Sequence, residues 1–128
     1  MKKLEHILIV DDEEDIITIA VMALEALGGF QVSTAINGQD FLDKVDDVNP
    51  DLILLDVMMP EVDGPTALKK YLKDKGDVAK PVVFMTAKTQ KHEVESFLSL
   101  GAKRVLSKPF NPTLICNELE QIWTEINE

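Results

Sequence analysis

The chain has 128 residues, is 45% hydrophobic and 28% charged, and carries a net charge of −10. That length makes one domain with a substantial core, and the balance of apolar and charged residues excludes a disordered chain. The acidic surplus argues against direct nucleic-acid or anionic-membrane binding, which needs a basic face. The single Cys116 excludes an internal disulfide, and no apolar run reaches a signal peptide or a membrane span, so a cytoplasmic setting is expected.

The first element is Ile7-Leu8-Ile9-Val10, an all-apolar run that reads as a strand buried on both faces. It ends in Asp11-Asp12-Glu13-Glu14-Asp15, acids favoured at the positive end of a following helix. That helix should reach about Leu27. Its inner face is Ile16, Ile19, Ala20, Ala23 and Leu27, widened by Ile17, Val21 and Leu24, and Gly28-Gly29 stops it. Phe30 to Ala35 reads as a more polar strand nearer a sheet edge. A helix from Asn37-Gly38 to Val48 turns Phe41, Leu42, Val45 and Val48 inward. Asn49-Pro50 ends it, because the residue before proline resists helical geometry.

Leu52-Ile53-Leu54-Leu55 is a second fully buried strand, and it delivers Asp56 to its carboxyl end. After a turn at Asp63-Gly64, Pro65 suits the start of a helix that buries Ala67, Leu68, Tyr71 and Leu72. Pro81 to Met85 is a fourth strand, ending in Thr86-Ala87. A helix from Lys91 to Leu100 is expected to bury Val94, Phe97 and Leu98. Arg104 to Ser107 is a short fifth strand ending in Lys108-Pro109. The last helix, from about Pro112 to Ile126, carries Leu114, Ile115, Leu119, Ile122 and Ile126 on its apolar face. Trp123 falls off that face and is expected to be partly exposed. Five alternations of strand and helix predict an α/β fold, a parallel sheet with helices on both faces and right-handed crossovers. The pattern leaves the strand order open between the two common doubly wound orders. In both, the functional crevice lies at the carboxyl ends of the strands.

That edge gathers Asp11 and Asp12 from the first strand, Asp56 from the third, Thr86 from the fourth and Lys108 from the fifth. Any one of them could be a cap, a turn residue or a solvated lysine. Together they pose an electrostatic problem: carboxylates about 4 Å apart repel by roughly 4 kcal/mol per pair at an effective dielectric near 20. A divalent cation, a lysine or a raised pKa must relieve it. All-oxygen ligands favour Mg²⁺, with Mn²⁺ or Ca²⁺ behind it. A hard cation, a lysine and a hydroxyl suit a transferring phosphoryl group, for which a carboxylate is the obvious nucleophile.

The chain resembles the receiver domain of two-component response regulators, of the single-domain type typical of chemotaxis and phosphorelay proteins. The resemblance is carried by Val10-Asp11-Asp12, Asp51 to Pro60, Asp63-Gly64, Thr86-Ala87 and Lys108-Pro109-Phe110, and it covers residues 1–128 as one domain. It implies a flavodoxin-like (βα)5 fold with strand order 2-1-3-4-5. It also implies that Asp56 accepts a phosphoryl group from a histidine kinase, a phosphotransfer protein or a small phosphodonor. Mg²⁺ (or Mn²⁺) would be held by Asp12, Asp56 and the Met58 backbone carbonyl, with Asp11 acting mainly through water. Lys108, the Thr86 hydroxyl and the Ala87 backbone N–H would contact the phosphoryl oxygens, and the Lys108–Pro109 bond would be cis. The chain would be a signalling phosphoacceptor that catalyses its own phosphorylation and dephosphorylation, not an enzyme acting on outside substrates. A downstream protein, or a second copy forming a homodimer, would meet the face of the fourth helix, fifth strand and fifth helix. One departure is Val105, where many receivers carry an aromatic switch residue. It keeps open a pseudo-receiver, an interaction module independent of phosphorylation. A phosphatase with an aspartate nucleophile would need an acid two residues after Asp56, where Met58 stands.

Overall fold

A computed structural model describes residues 2–128. Five strands form one parallel sheet in the order β2-β1-β3-β4-β5: β1 (His6–Val10), β2 (Gln31–Ala35), β3 (Leu52–Asp56), β4 (Val82–Thr86) and β5 (Arg104–Ser107). The helices alternate with them: α1 (Glu14–Gly28), α2 (Gly38–Val48), α3 (Gly64–Lys75), α4 (Lys91–Ser99) and α5 (Ile115–Ile126). This is the expected doubly wound, flavodoxin-like architecture. Among the described residues no helix is long and apolar enough to cross a membrane.

The two aliphatic runs are the central strands, and Ile7–Val10 and Leu52–Leu55 are fully buried because helices cover both faces. Ile7, Ile9, Leu52, Leu54, Val83, Met85 and Leu106 form one core with residues of α1 and α5. Leu8, Val10, Ile53, Leu55, Val82 and Phe84 form the other with residues of α2 and α3. Helix ends follow local chemistry. Gly29 closes α1 and Asn49 closes α2, both in the left-handed region, while the Asn37 and Asp63 side chains cap α2 and α3.

Four expectations about packing need correction. On α1 the buried residues are Ala20, Ala23 and Leu24, while Ile19 (48% exposed) and Leu27 (63%) face outward. The helix lies on its small side chains, which bring it close to the sheet. Helix α4 has no buried residue; Phe97 packs edge-on against Phe84 at 5.4 Å, Val94 is half-buried and Leu98 is exposed. Helix α5 starts at Ile115, leaving Leu114 exposed before it. Trp123 belongs to the core at 9% exposure, on the spine Ile115, Leu119, Trp123. Its indole N–H donates to the Lys2 carbonyl at 2.8 Å, which supplies the partner that a buried indole needs.

Candidate functional site

The loops after β1, β3 and β5 each start with one more sheet-like hydrogen bond. Asp11 N–H donates to Ala35 O (3.1 Å), Val57 N–H to Met85 O (3.1 Å) and Lys108 N–H to Thr86 O (2.9 Å). These bonds carry the order of the sheet one residue beyond those strands, so the backbone of Asp11, of Lys108 and just after Asp56 is held in place.

Three of those groups converge on one ammonium. Lys108 Nζ lies 2.8 Å from Asp11 Oδ2 and 3.2 Å from Asp56 Oδ1, with Glu13 Oε1 at 3.7 Å. Asp11 and Asp56 are buried, and Asp12 is exposed at the rim. One carboxylate oxygen from each of Asp11, Asp12 and Asp56 lies within 4.8 Å of the others. Asp11 Oδ1 accepts the Glu13 N–H at 2.9 Å. Asp11 Oδ2 makes only the ion-pair contact with Lys108 and accepts no hydrogen bond of acceptable geometry. A buried anionic oxygen left in that state fits a hard cation shared with the other two carboxylates.

The electrostatics agree. Burial, then the charge of Asp11, pushes the Asp56 carboxyl up to about 6, with Lys108 pulling the other way. Burial works against the Lys108 charge, but the close contact with charged Asp11, followed by that with Asp56, outweighs it and raises the ammonium's pKa. Beside them lies a cavity of about 220 Å³ lined by Glu13, Asp56, Met58, Thr86, Ala87, Lys88 and Lys108. The Thr86 hydroxyl on its wall accepts the Lys88 N–H at 2.9 Å. Met58, 64% exposed, and Lys88 also border a larger apolar groove reaching Phe97 of α4. Such a site can hold a hard divalent cation, keep a carboxylate poised as a nucleophile and receive a small anion.

Thus Asp11, Asp12, Asp56, Thr86, Ala87 and Lys108 share one edge, with Met58 on the loop just beyond Asp56, and the Lys108–Pro109 peptide is cis. Val105 is half-buried on β5 and packs into the core on the Phe84 side. Two residues have roles that the sequence does not reveal. Glu13 reads as a helix-start acid, and its place two residues after Asp11 is the signal that it can reach the same edge. Asp51 is buried at the opposite edge, where it pairs with Lys2 and accepts the Glu5 and His6 backbone N–H groups at 3.0 Å. Nothing in its local sequence marked that role.

Comparison with known proteins agrees with this geometry. The family model "Response regulator receiver domain" matches residues 7–120. The chain is 35% identical over 123 residues to the response regulator SaeR of Staphylococcus aureus, covering 96% of this chain and 52% of SaeR. The chain therefore spans about half the length of the curated relatives it matches. Among solved structures, the chemotaxis response regulator CheY4 of Vibrio cholerae superposes with a TM-score of 0.85 at 28% identity, over 94% of this chain and 99% of that one. A CheY-like receiver domain protein from Methanospirillum hungatei gives 0.82 at 26% identity, covering 98% of each chain.

Proposed function

Since the chain belongs to the response regulator receiver domain family of two-component signalling, we propose that it is a phosphorylation-driven switch in which Asp56 is the phosphoacceptor. The observation that carries this reading is the convergence of Asp11, Asp12 and Asp56 within 4.8 Å beside Lys108. The donor is a histidine kinase or phosphotransfer protein, or a small acyl phosphate. The reading carries with it a cytoplasmic setting and one receiver domain over residues 1–128.

Asp12, Asp56 and the Met58 carbonyl would hold Mg²⁺, with Asp11 supporting it through water. Bound there, the ion would supply positive charge opposite the phosphoryl oxygens. Asp56, with a pKa of about 6, is mostly ionised at neutral pH and so available as a nucleophile. Lys108 holds the carboxylate before transfer and pairs with the phosphoryl group after it. The Ala87 N–H and the Thr86 hydroxyl complete the oxygen contacts. Because the Thr86 hydroxyl already accepts from Lys88 N–H, its own hydrogen remains available to a phosphoryl oxygen. Movement of Thr86 toward that oxygen pulls Lys88 and the loop leading into α4.

Helix α4, with no buried residue, is the element whose displacement costs least. With Val105 in place of an aromatic rotor, coupling through this loop to the face of α4, β5 and α5 is the route proposed for partner binding or homodimerisation. No observation favours the phosphorylation-independent alternative. Incubation with acetyl phosphate or beryllofluoride and Mg²⁺, read by intact-mass analysis or NMR, tests the proposal. Modification is expected for the native chain and not for Asp56→Asn; an unmodified native chain would sink it.

A further inference from the structure

Of the three carboxylates around Lys108, Glu13 has no part in the mechanism above. Its side chain is 62% exposed and lies 3.7 Å from Lys108 Nζ, on the wall of the cavity that Asp56 and Thr86 also line. Its backbone cannot drift away, because its N–H is held by Asp11 Oδ1 at 2.9 Å and its carbonyl accepts the Ile17 N–H at 3.1 Å in the first turn of α1. Asp11, Asp12 and Asp56 make up the cation cradle without it. A fourth negative charge therefore stands at the mouth of a cavity built to admit an anion.

We infer that Glu13 is an electrostatic selector at this mouth, slowing entry of dianionic small-molecule phosphodonors relative to monoanionic ones. The inference rests on the reading of Asp56 as phosphoacceptor. Both Glu13 Oε1 and Asp56 Oδ1 contact the same ammonium, at 3.7 and 3.2 Å, so the two oxygens are at most about 7 Å apart and a phosphoryl group docking on Asp56 feels the Glu13 charge at about that range. A unit charge at that range in water-like surroundings changes the encounter by about threefold per donor charge. High salt suppresses the effect, since the screening length falls to about 3 Å at 1 M.

Acetyl phosphate is a dianion at neutral pH, and phosphoramidate, with its ammonio nitrogen, is a monoanion. With either donor an Asp56 oxygen forms the new O–P bond. Acetate leaves with the electron pair of the broken P–O bond in one case. In the other the P–N bond breaks, and the already protonated nitrogen leaves as ammonia. Glu13 takes up no proton in either step.

The test is the second-order rate of Asp56 phosphorylation by each donor at saturating Mg²⁺, in low and high salt, for the native chain, Glu13→Gln and Glu13→Asp. Glu13→Gln is expected to accelerate acetyl phosphate by about tenfold and phosphoramidate by about threefold. The gap should close near 1 M salt, and Glu13→Asp should stay near the native rates. A change of equal size for both donors that ignores salt would mean that Glu13 only positions Lys108, and would overturn the inference. So would no change at all, with the native chain still phosphorylated. A native chain that neither donor modifies removes the phosphoacceptor reading and this inference together.

Discussion

The Lys108 ammonium and the Asp56 carboxylate stand 3.2 Å apart, and Lys108 is closer still, at 2.8 Å, to the buried Asp11. One cation thus serves two buried acids, and a lysine from the last strand holds together groups from the first and third. Removing it leaves both acids without their shared partner, a loss that in buried pairs costs about 3–5 kcal/mol. Lys108→Met is expected to destabilise the metal-free protein by about that amount at pH 7, and Mg²⁺ should restore much of it. Urea denaturation with and without Mg²⁺ checks this; a Mg²⁺-independent loss would mean that lysine and metal do not act on the same charges.

Asp56 carries the opposite lesson. Its carboxyl titrates at about 6 in the fold against an ordinary 3.8, so between these values the folded state holds the proton more tightly than the unfolded state. Stability therefore falls as pH rises through that window, and the penalty is complete above about 6 and absent below the ordinary value. At about 1.4 kcal/mol per pH unit its ceiling is about 3 kcal/mol. Asp56→Asn removes the charge, and since the rise to about 6 already includes the opposing pull of Lys108, the metal-free variant should gain up to about 3 kcal/mol at pH 7. It should gain nothing near pH 4. A variant less stable than the native chain at pH 7 would contradict the assignment.

A cation bound by the three acids should reverse that penalty. Mg²⁺ at 100 times its dissociation constant is expected to stabilise the native chain by about 2.7 kcal/mol. It should also flatten the stability slope between pH 4 and 6. Asp12 is the exposed member of the cluster, and Asp12→Asn should fold normally yet lose most of the gain. Thermal denaturation across a Mg²⁺ titration reads both. An equal gain in the variant would move the metal elsewhere.

The sheet and the polar groups at its carboxyl edge were legible because their signals are local. Four consecutive aliphatics mark a strand covered on both faces, and a polar residue directly after such a strand must emerge at its carboxyl end. Asp11, Asp56, Thr86 and Lys108 each followed from a strand, and a parallel sheet forces those ends together. What was not legible depends on distant partners. The Trp123 indole is buried because the Lys2 carbonyl receives its N–H. Helical periodicity alone could not tell that Ala20 and Ala23, not Ile19 and Leu27, would face the sheet. Glu13 looked like any helix-start acid until Lys108 was placed 3.7 Å away.

Asp51 ties the chain's beginning to the sheet. Burial alone would raise its pKa, but the Lys2 hydrogen bond and the His6 and Glu5 backbone N–H groups outweigh that and hold it below the usual range. A depressed carboxyl stabilises the fold above its unfolded value of 3.8 and loses that contribution as pH falls through its folded value. Asp51→Ala leaves two backbone N–H groups without their acceptor and should cost about 1–3 kcal/mol at pH 7. Because Lys2 also receives the Trp123 N–H, the emission of this single tryptophan should shift to the red. Unchanged emission would separate Asp51 from the Trp123 contact.

Gly64 joins the fold to the chemistry most directly. It opens α3, and a Cβ placed there would lie 2.4 Å from the Asp56 carbonyl oxygen and 2.9 Å from Val57 Cα. Both are backbone atoms, so no side-chain rotation relieves the overlap. The helix must move away from the end of β3, or the end of β3 must move with it. The first weakens packing around Ala67 and Leu68, both fully buried. The second displaces Asp56 from its place 3.2 Å from Lys108. Gly64→Ala is expected to cost about 1–3 kcal/mol of stability, the usual range for forced overpacking, although alanine is the better helix former. It should also weaken Mg²⁺ binding, because the backbone leading into the loop proposed to hold the ion shifts. Gly76→Ala is the control: its Cβ meets nothing within 4 Å and it lies at the far end of α3. Its positive φ of 54° makes it destabilising too, but without any change in Mg²⁺ affinity. If both variants lose stability and neither loses Mg²⁺ affinity, the close approach of α3 to Asp56 serves packing alone.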